Sequence, residues 1–348
     1  MSAVFIIFQV FIILFIALTA LFLFLVGQKV RSNRFEQKKG DWKVYYLEHI
    51  TPYIQGHGEL QLPKEPYMIE AFEDVLTRYY SLMKGDNDTS RRIEELAETT
   101  LEDYYKKRLL HNRWSIRMNT LHRIEKFRMI SLVEQCVGLY KEKRTSELES
   151  IQVLRILGNL QDERIYTILL SEEKEYPNFY YLDLFGRLDE DLLDRFIGTI
   201  EEFPQWIQLS LIEAMGDSGE YKYLPAIESF IDSKDTEFRI RALKSLVKYG
   251  YVTNANKIKP SLHASSWQER MMAARLVKPL KDSRFLDDLL ILLTDENWWV
   301  RTTAAESIIV QQNGQAILED VAATHVDRFA RDAAKEWLLR KGRNSVYR

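Results

Sequence analysis

A chain of 348 residues that is 46% hydrophobic and 28% charged has the material for a packed core, which excludes global disorder. A net charge of −3 excludes a globally basic nucleic-acid binder, and a single cysteine, Cys136, excludes an internal disulfide. Only 14 Gly and 8 Pro argue against a turn-rich β fold, and abundant Leu, Ile, Glu, Lys and Ala predict an all-α protein.

Residues 4–26 read VFIIFQVFIILFIALTALFLFLV, without a charge. As a helix this stretch is about 35 Å long, enough to cross a hydrocarbon core of about 30 Å. A cleaved signal peptide wants a positive n-region, a shorter apolar run and a small-residue cleavage site. Here no Lys or Arg precedes the span, and large apolar residues follow the ALTA segment. Residues 1–28 are therefore read as an uncleaved transmembrane anchor. Lys29, Arg31, Arg34, Lys38 and Lys39 follow it as membrane-flanking cations. The positive-inside rule then predicts a single-pass protein of the cell membrane, with its N-terminus outside and its bulk cytoplasmic. The inverse orientation, or cleavage, makes the bulk extracytoplasmic instead. The Asn87-Asp88-Thr89 sequon is read as part of a turn, KGDNDTS, that caps a helix.

Residues 29–66 are read as a basic juxtamembrane segment and a linker, mostly irregular from residue 40, where Gly and Pro punctuate the sequence. Residues 67–111 hold a helical pair, predicted at 67–83 and 90–110 from apolar residues at three- and four-residue spacing. Residues 112–340 carry a recurring pattern, and residues 341–348 form a tail.

The pattern is clearest in NWWVRTTAAESI, residues 297–308. Arg301 is followed at plus three and plus four by Ala304 and Ala305, and at plus seven by Ile308. Arg270 and Arg239 recur before it at equal spacing with the same small or aliphatic followers, and Arg331 continues the series after it. Four residues before each stands a helix-capping type: Asn297, Ser266, Asp235 and Asp327. Backwards, the marked positions are Gln208, Asn178, Ser150 and Arg117, at nearly the same spacing. Such even spacing predicts tandem helical hairpins, none of which can bury its apolar faces alone.

The segment WVRTTAAESI resembles the first-helix signature of the HEAT-repeat family, in its short bacterial form related to bilin lyases. The resemblance covers about residues 112–339 and is strongest at 235–312. It implies an α-solenoid of about eight helical hairpins behind the transmembrane helix. It also implies a structural duty for Arg117, Arg239, Arg270, Arg301 and Arg331. In that family the arginine ties adjacent repeats through backbone carbonyls and acidic side chains.

Chemistry is sparse. The histidines His49, His57, His111, His122, His263 and His325 form no H-E-x-x-H motif, no i, i+4 pair and no His-Glu dipeptide of the kind HEAT-like iron hydroxylases use. No phosphate-binding glycine loop occurs. Cys136 lies in an apolar helical stretch and reads as a buried thiol. Trp114, Trp206, Trp267, Trp298 and Trp299 each precede a marked position by one to three residues and read as repeat packing. No catalytic residue, cofactor, metal or nucleic acid is predicted.

Charge is uneven. Residues 104–128 hold eight Lys or Arg and one acid, and residues 161–202 hold twelve acids and four bases. Solvated surface accounts for this, and so does a basic face on an anionic leaflet with an acidic docking surface beyond it. The expectation is a membrane-anchored, non-catalytic scaffold. It would bind a membrane-associated protein partner, as an accessory of a complex such as one for cell-surface polysaccharide synthesis or export. The alternative implied by the resemblance is a lyase-type enzyme or enzyme subunit that binds a small ligand.

Overall fold

The computed structural model describes residues 2–83 and 87–346. The described residues form eighteen α-helices and short 3-10 turns, with no strand among them. They divide into two compact units, Met1–Leu160 and Gln161–Arg348.

The first unit begins with α1, a helix of 53 residues from Ser2 to Ile54. It is about 80 Å long at the usual helical rise. Its apolar N-terminal half is exposed along its described length, with Phe5, Phe11, Ile13, Phe15, Leu18 and Phe24 all open. A helix apolar all round with nothing packed on it is long enough to span a membrane. The helix does not stop at residue 40, which corrects the irregular linker expected there. Tyr46, Ile50 and Ile54 recur at four-residue spacing and are buried against the next helix, so tertiary packing carries the helix onward. It ends where Pro52 withholds an N–H and Gly56 turns at φ 84°.

After α1 come α2 (Pro66–Leu82), α3 (Asn87–Leu109), α4 (Trp114–Lys126), α5 (Val133–Tyr140) and α6 (Glu147–Asn159). The predicted pair at 67–83 and 90–110 corresponds to α2 and α3. The start of the KGDNDTS turn, residues 84–86, lies outside the described residues. α2 packs along α1, α4 on α3, and α6 on α4. Phe72, Leu76, Ile93, Leu101, Leu121 and Ile124 are fully buried between them. Each such aliphatic or aromatic side chain contributes about 1.5–3 kcal/mol on leaving water.

The second unit holds α7 (Arg164–Leu170), α8 (Asn178–Phe185), α9 (Glu190–Gly198), α10 (Gln205–Ser218), α11 (Leu224–Ser229), α12 (Thr236–Tyr249), α13 (Lys259–Leu262), α14 (Trp267–Leu280), α15 (Leu286–Leu292), α16 (Trp298–Ile308), α17 (Gly314–Thr324) and α18 (Arg328–Val346). α18 thus continues through most of the expected tail, and residues 347–348 lie outside the described residues. The longer helices pack in succession: α8 on α10, α10 on α12, α12 on α14, α14 on α16, and α16 on α18. The small residues of the recurring pattern make this possible. Ala242, Ala273, Ala274, Ala304 and Ala305 are all at 0% exposure, as are Leu246, Val277 and Ile308 at plus seven. Gly216 marks a close approach of α10 to α12, since a Cβ there would lie 2.6 Å from Ser245 Cβ.

Candidate interaction surfaces

The recurring arginines share one position and one set of bonds. Arg117, Arg239, Arg270, Arg301 and Arg331 are each the fourth residue of their helix. In each, Nη1 donates to the two carbonyls six and five residues earlier. The pairs are His111 and Asn112 at 2.9 and 3.0 Å, Ser233 and Lys234 at 2.8 and 3.0 Å, and Ala264 and Ser265 at 2.8 and 2.9 Å. Asp295 and Glu296 follow at 2.7 and 3.0 Å, then His325 and Val326 at 2.6 and 3.0 Å. A guanidinium suits this work because its donors form a fixed fork and never deprotonate.

The other marked positions show how the place is filled without arginine. Gln208 is also the fourth residue of its helix and donates Nε2 to the Phe203 carbonyl at 2.7 Å. Ser150 sits fourth in α6. Asn178, however, opens α8 rather than standing fourth in it. The equivalent residue is Tyr181, whose hydroxyl accepts from the Tyr176 N–H at 3.3 Å and donates to the Lys174 carbonyl at 3.2 Å. The marker therefore moves by three positions. The signal was present in the sequence: Pro177 precedes α8 as Pro204 precedes α10, and aligning the two prolines selects Tyr181.

Two arginines also reach the next long helix, and a third the turn that leads into it. Arg117 forks onto Glu149, with Nε to Oε1 at 2.7 Å and Nη2 to Oε2 at 3.1 Å, both residues buried. Burial pushes the Glu149 carboxyl up, but the Arg117 guanidinium and the Ser146 N–H and hydroxyl hold it below its ordinary value. Arg239 forks onto Glu269, at 2.8 Å for each bond. Arg270 forks onto Asp295 at 2.6 and 3.0 Å, just before α16. Arg301 lies under the Phe329 ring, 4.8 Å from its centroid, and Phe329 belongs to α18.

The cations that follow the apolar stretch divide into two groups. Lys29, Arg31 and Arg34 are exposed on α1 just beyond the apolar stretch. Lys38 lies over the Tyr67 ring at 5.1 Å, and Lys39 pairs with Glu70 and Asp74, both at 3.2 Å. Burial lowers the Lys39 pKa, but hydrogen bonds and charge from Glu70 and Asp74 raise it above its ordinary value. These two residues tie α1 to α2.

The basic run of residues 104–128 is mostly turned inward. Arg108 stacks on Tyr104 at 5.0 Å and Arg123 pairs with Glu73 at 2.6 Å. Lys126 donates to Ser81 at 2.7 Å and Arg128 to the Asn159 carbonyl at 2.7 Å. Lys106, Lys107 and Arg113 are left exposed. The acidic run is more open: Glu173, Glu175, Asp191 and Glu201 are exposed, while Asp194 is held by Lys222 at 2.8 Å and Tyr223.

Among the described residues no group of three His, Cys, Asp or Glu is arranged to hold a metal ion. Cys136 is buried, and burial pushes its thiol up to about 12. His263 Nε2 lies 2.7 Å from Asp288 Oδ1, and His325 Nδ1 accepts from the Asp327 N–H at 3.1 Å.

No family model and no curated protein matches the chain. One solved structure similar to it is the crystal structure of an engineered protein from the Northeast Structural Genomics Consortium. It is 13% identical, covers 79% of each chain and has a TM-score of 0.32. A likeness that weak leaves the reading of the fold to the chain's own helices.

Proposed function

We propose that the chain is a membrane-anchored, non-catalytic scaffold that grips a protein partner through a HEAT-like α-solenoid. The observation that carries this reading is the unbroken run of α1, from a bare apolar segment into a packed domain. The shared arginine geometry supports the solenoid, because one side chain repeats one capping task along successive helices while bonding toward the next. Long helices stacked in series offer an extended surface suited to protein recognition.

The anchor is a stiff one. Phe35 already meets Tyr67, with ring centroids 6.2 Å apart, so few residues separate the apolar segment from the packed domain. Lys29, Arg31 and Arg34 favour a cytoplasmic domain by the positive-inside rule. They also stand where the anionic leaflet attracts them, at about 1 kcal/mol for each basic residue.

Single-cysteine labelling tests the topology. Cysteine is placed at Ser2 or at Lys106 in a C136S background, and intact cells are treated with a membrane-impermeant maleimide. The reading expects labelling at Ser2→Cys in intact cells and at Lys106→Cys only after permeabilisation. The reverse pattern, or release of a domain cleaved from its apolar segment, contradicts it.

A further inference from the structure

Helices α12, α14 and α16 border an open groove of about 540 Å³. Val247, Pro279 and Val310 are its apolar lining, and Arg275, Lys278, Lys281 and Glu306 its charged rim. Gly250, at φ +63°, lets α12 end close against Pro279, where a Cβ would lie 3.3 Å from the proline Cβ.

Ion pairs bridge the seams on either side. Lys244 reaches Glu213 at 2.8 Å and Lys248 reaches Asp217, which joins α12 to α10. Lys278 reaches Glu306 at 2.6 Å, which joins α14 to α16. The seam between α12 and α14 is different. Arg239 and Glu269 join these helices at one end. At the groove end no ion pair bridges them among the described residues, and Arg275 and Lys281 have no carboxylate partner there.

Favourable contact with helix C-termini accounts for Lys248, Lys278 and Lys281, which lie at or near the ends of α12 and α14. It does not account for Arg275, more than a turn earlier, or for an apolar lining left open beneath a cationic rim. An open groove with that lining complements a helical segment that inserts apolar side chains and flanks them with carboxylates.

We propose that this groove docks an acidic segment of a protein partner, its large apolar side chains on Val247, Pro279 and Val310 and its carboxylates on Arg275 and Lys281. The proposal rests on the scaffold reading and gives that scaffold a gripping site.

The test uses full-length protein in its own membrane. A photo-crosslinking amino acid replaces Val247, Val310 or, on a separate exposed surface, Phe179, and each adduct is mapped by mass spectrometry to the residue. The proposal expects adducts from Val247 and Val310 on a partner segment rich in Asp, Glu and large apolar residues. Their yield should fall about tenfold in R275E/K281E, with the helical circular dichroism unchanged. Groove adducts on a lipid, a small carboxylate or a segment without acidic residues overturn the proposal. Protein adducts from Phe179 alone overturn the groove and leave the scaffold reading standing. No protein adduct from any position overturns both.

Discussion

Arg239 holds Glu269 by two parallel bonds of 2.8 Å while its third nitrogen caps the turn behind it, so one side chain joins α12 both to its own approach and to α14. Glu269 is almost fully buried, at 2% exposure. Removing the arginine leaves a buried carboxylate with the Ser261 hydroxyl, at 3.0 Å, in place of a charged partner and frees two carbonyls. R239A should therefore cost about 3 kcal/mol of second-unit stability, near the low end for breaking a buried pair because Arg239 is partly exposed. R239K, which keeps charge but loses the fork, should recover less than half. Urea denaturation of the two variants measures both numbers.

Arg301 makes the same carbonyl bonds but meets the Phe329 ring where Arg239 meets a carboxylate. No buried acid is stranded when it is removed. R301A should cost about 1–2 kcal/mol, roughly a lost charged hydrogen bond plus a cation–π contact. A loss equal to that of R239A in the same assay would show that the carbonyl cap, and not the fork, dominates.

Gly216 stands in the last turn of α10, where alanine is still ordinarily the better helix former, by up to about 1 kcal/mol. Here a Cβ would lie 2.6 Å from Ser245 Cβ, and Ser245 donates to the Ile212 carbonyl at 2.8 Å. G216A should destabilise the second unit by about 1–3 kcal/mol. The G216A/S245G double variant should recover part of that loss. Thermal denaturation of the two variants beside the parent chain checks the sign, which helix propensity alone would reverse.

The depressed carboxyl of Glu149 links stability of the first unit to pH. Its folded-state pKa lies below its unfolded value of about 4.3, so it contributes stability that is fully present above that value. The contribution is lost as pH falls through the folded pKa. E149Q should flatten the acid limb of first-unit stability below about pH 4.5. Unfolding midpoints of both forms from pH 7 to pH 3 provide the measurement.

Cys136 gives a simple probe of the folded state. A thiol at about 12, buried at 0% exposure, holds almost no thiolate at neutral pH. Native protein should resist iodoacetamide for hours and react within minutes in guanidinium chloride. Fast labelling of the native protein would mean that α5 opens locally.

Much of this was legible in the sequence because it rests on local rules. The apolar stretch of residues 4–26 needs only its own composition, and the arginine recurs because α4, α12, α14, α16 and α18 each carry it as their fourth residue. What was illegible depends on contacts. Gly40 and the Gly and Pro residues after Pro52 read as a linker, yet Tyr46 and Ile50 pack on α2 and hold the helix together past Gly40. Asn178 reads as a marked position on spacing alone, whereas the helix start at Pro177 sets the register at Tyr181. The basic run reads as an exposed face because the partners of Arg123 and Arg128 lie far along the chain, at Glu73 and Asn159. The groove of α12, α14 and α16 has no sequence signal, since it arises from which seams lack an acid.

The central claim is an anchored scaffold with a protein partner. Mild crosslinking of tagged full-length protein in cells, followed by detergent purification and mass spectrometry, tests it most directly. The account predicts a membrane-associated protein recovered in near-stoichiometric amount, and lost when residues 1–28 are deleted although the truncated chain stays folded. Recovery of the chain alone, carrying a bound chromophore or metal, would contradict it.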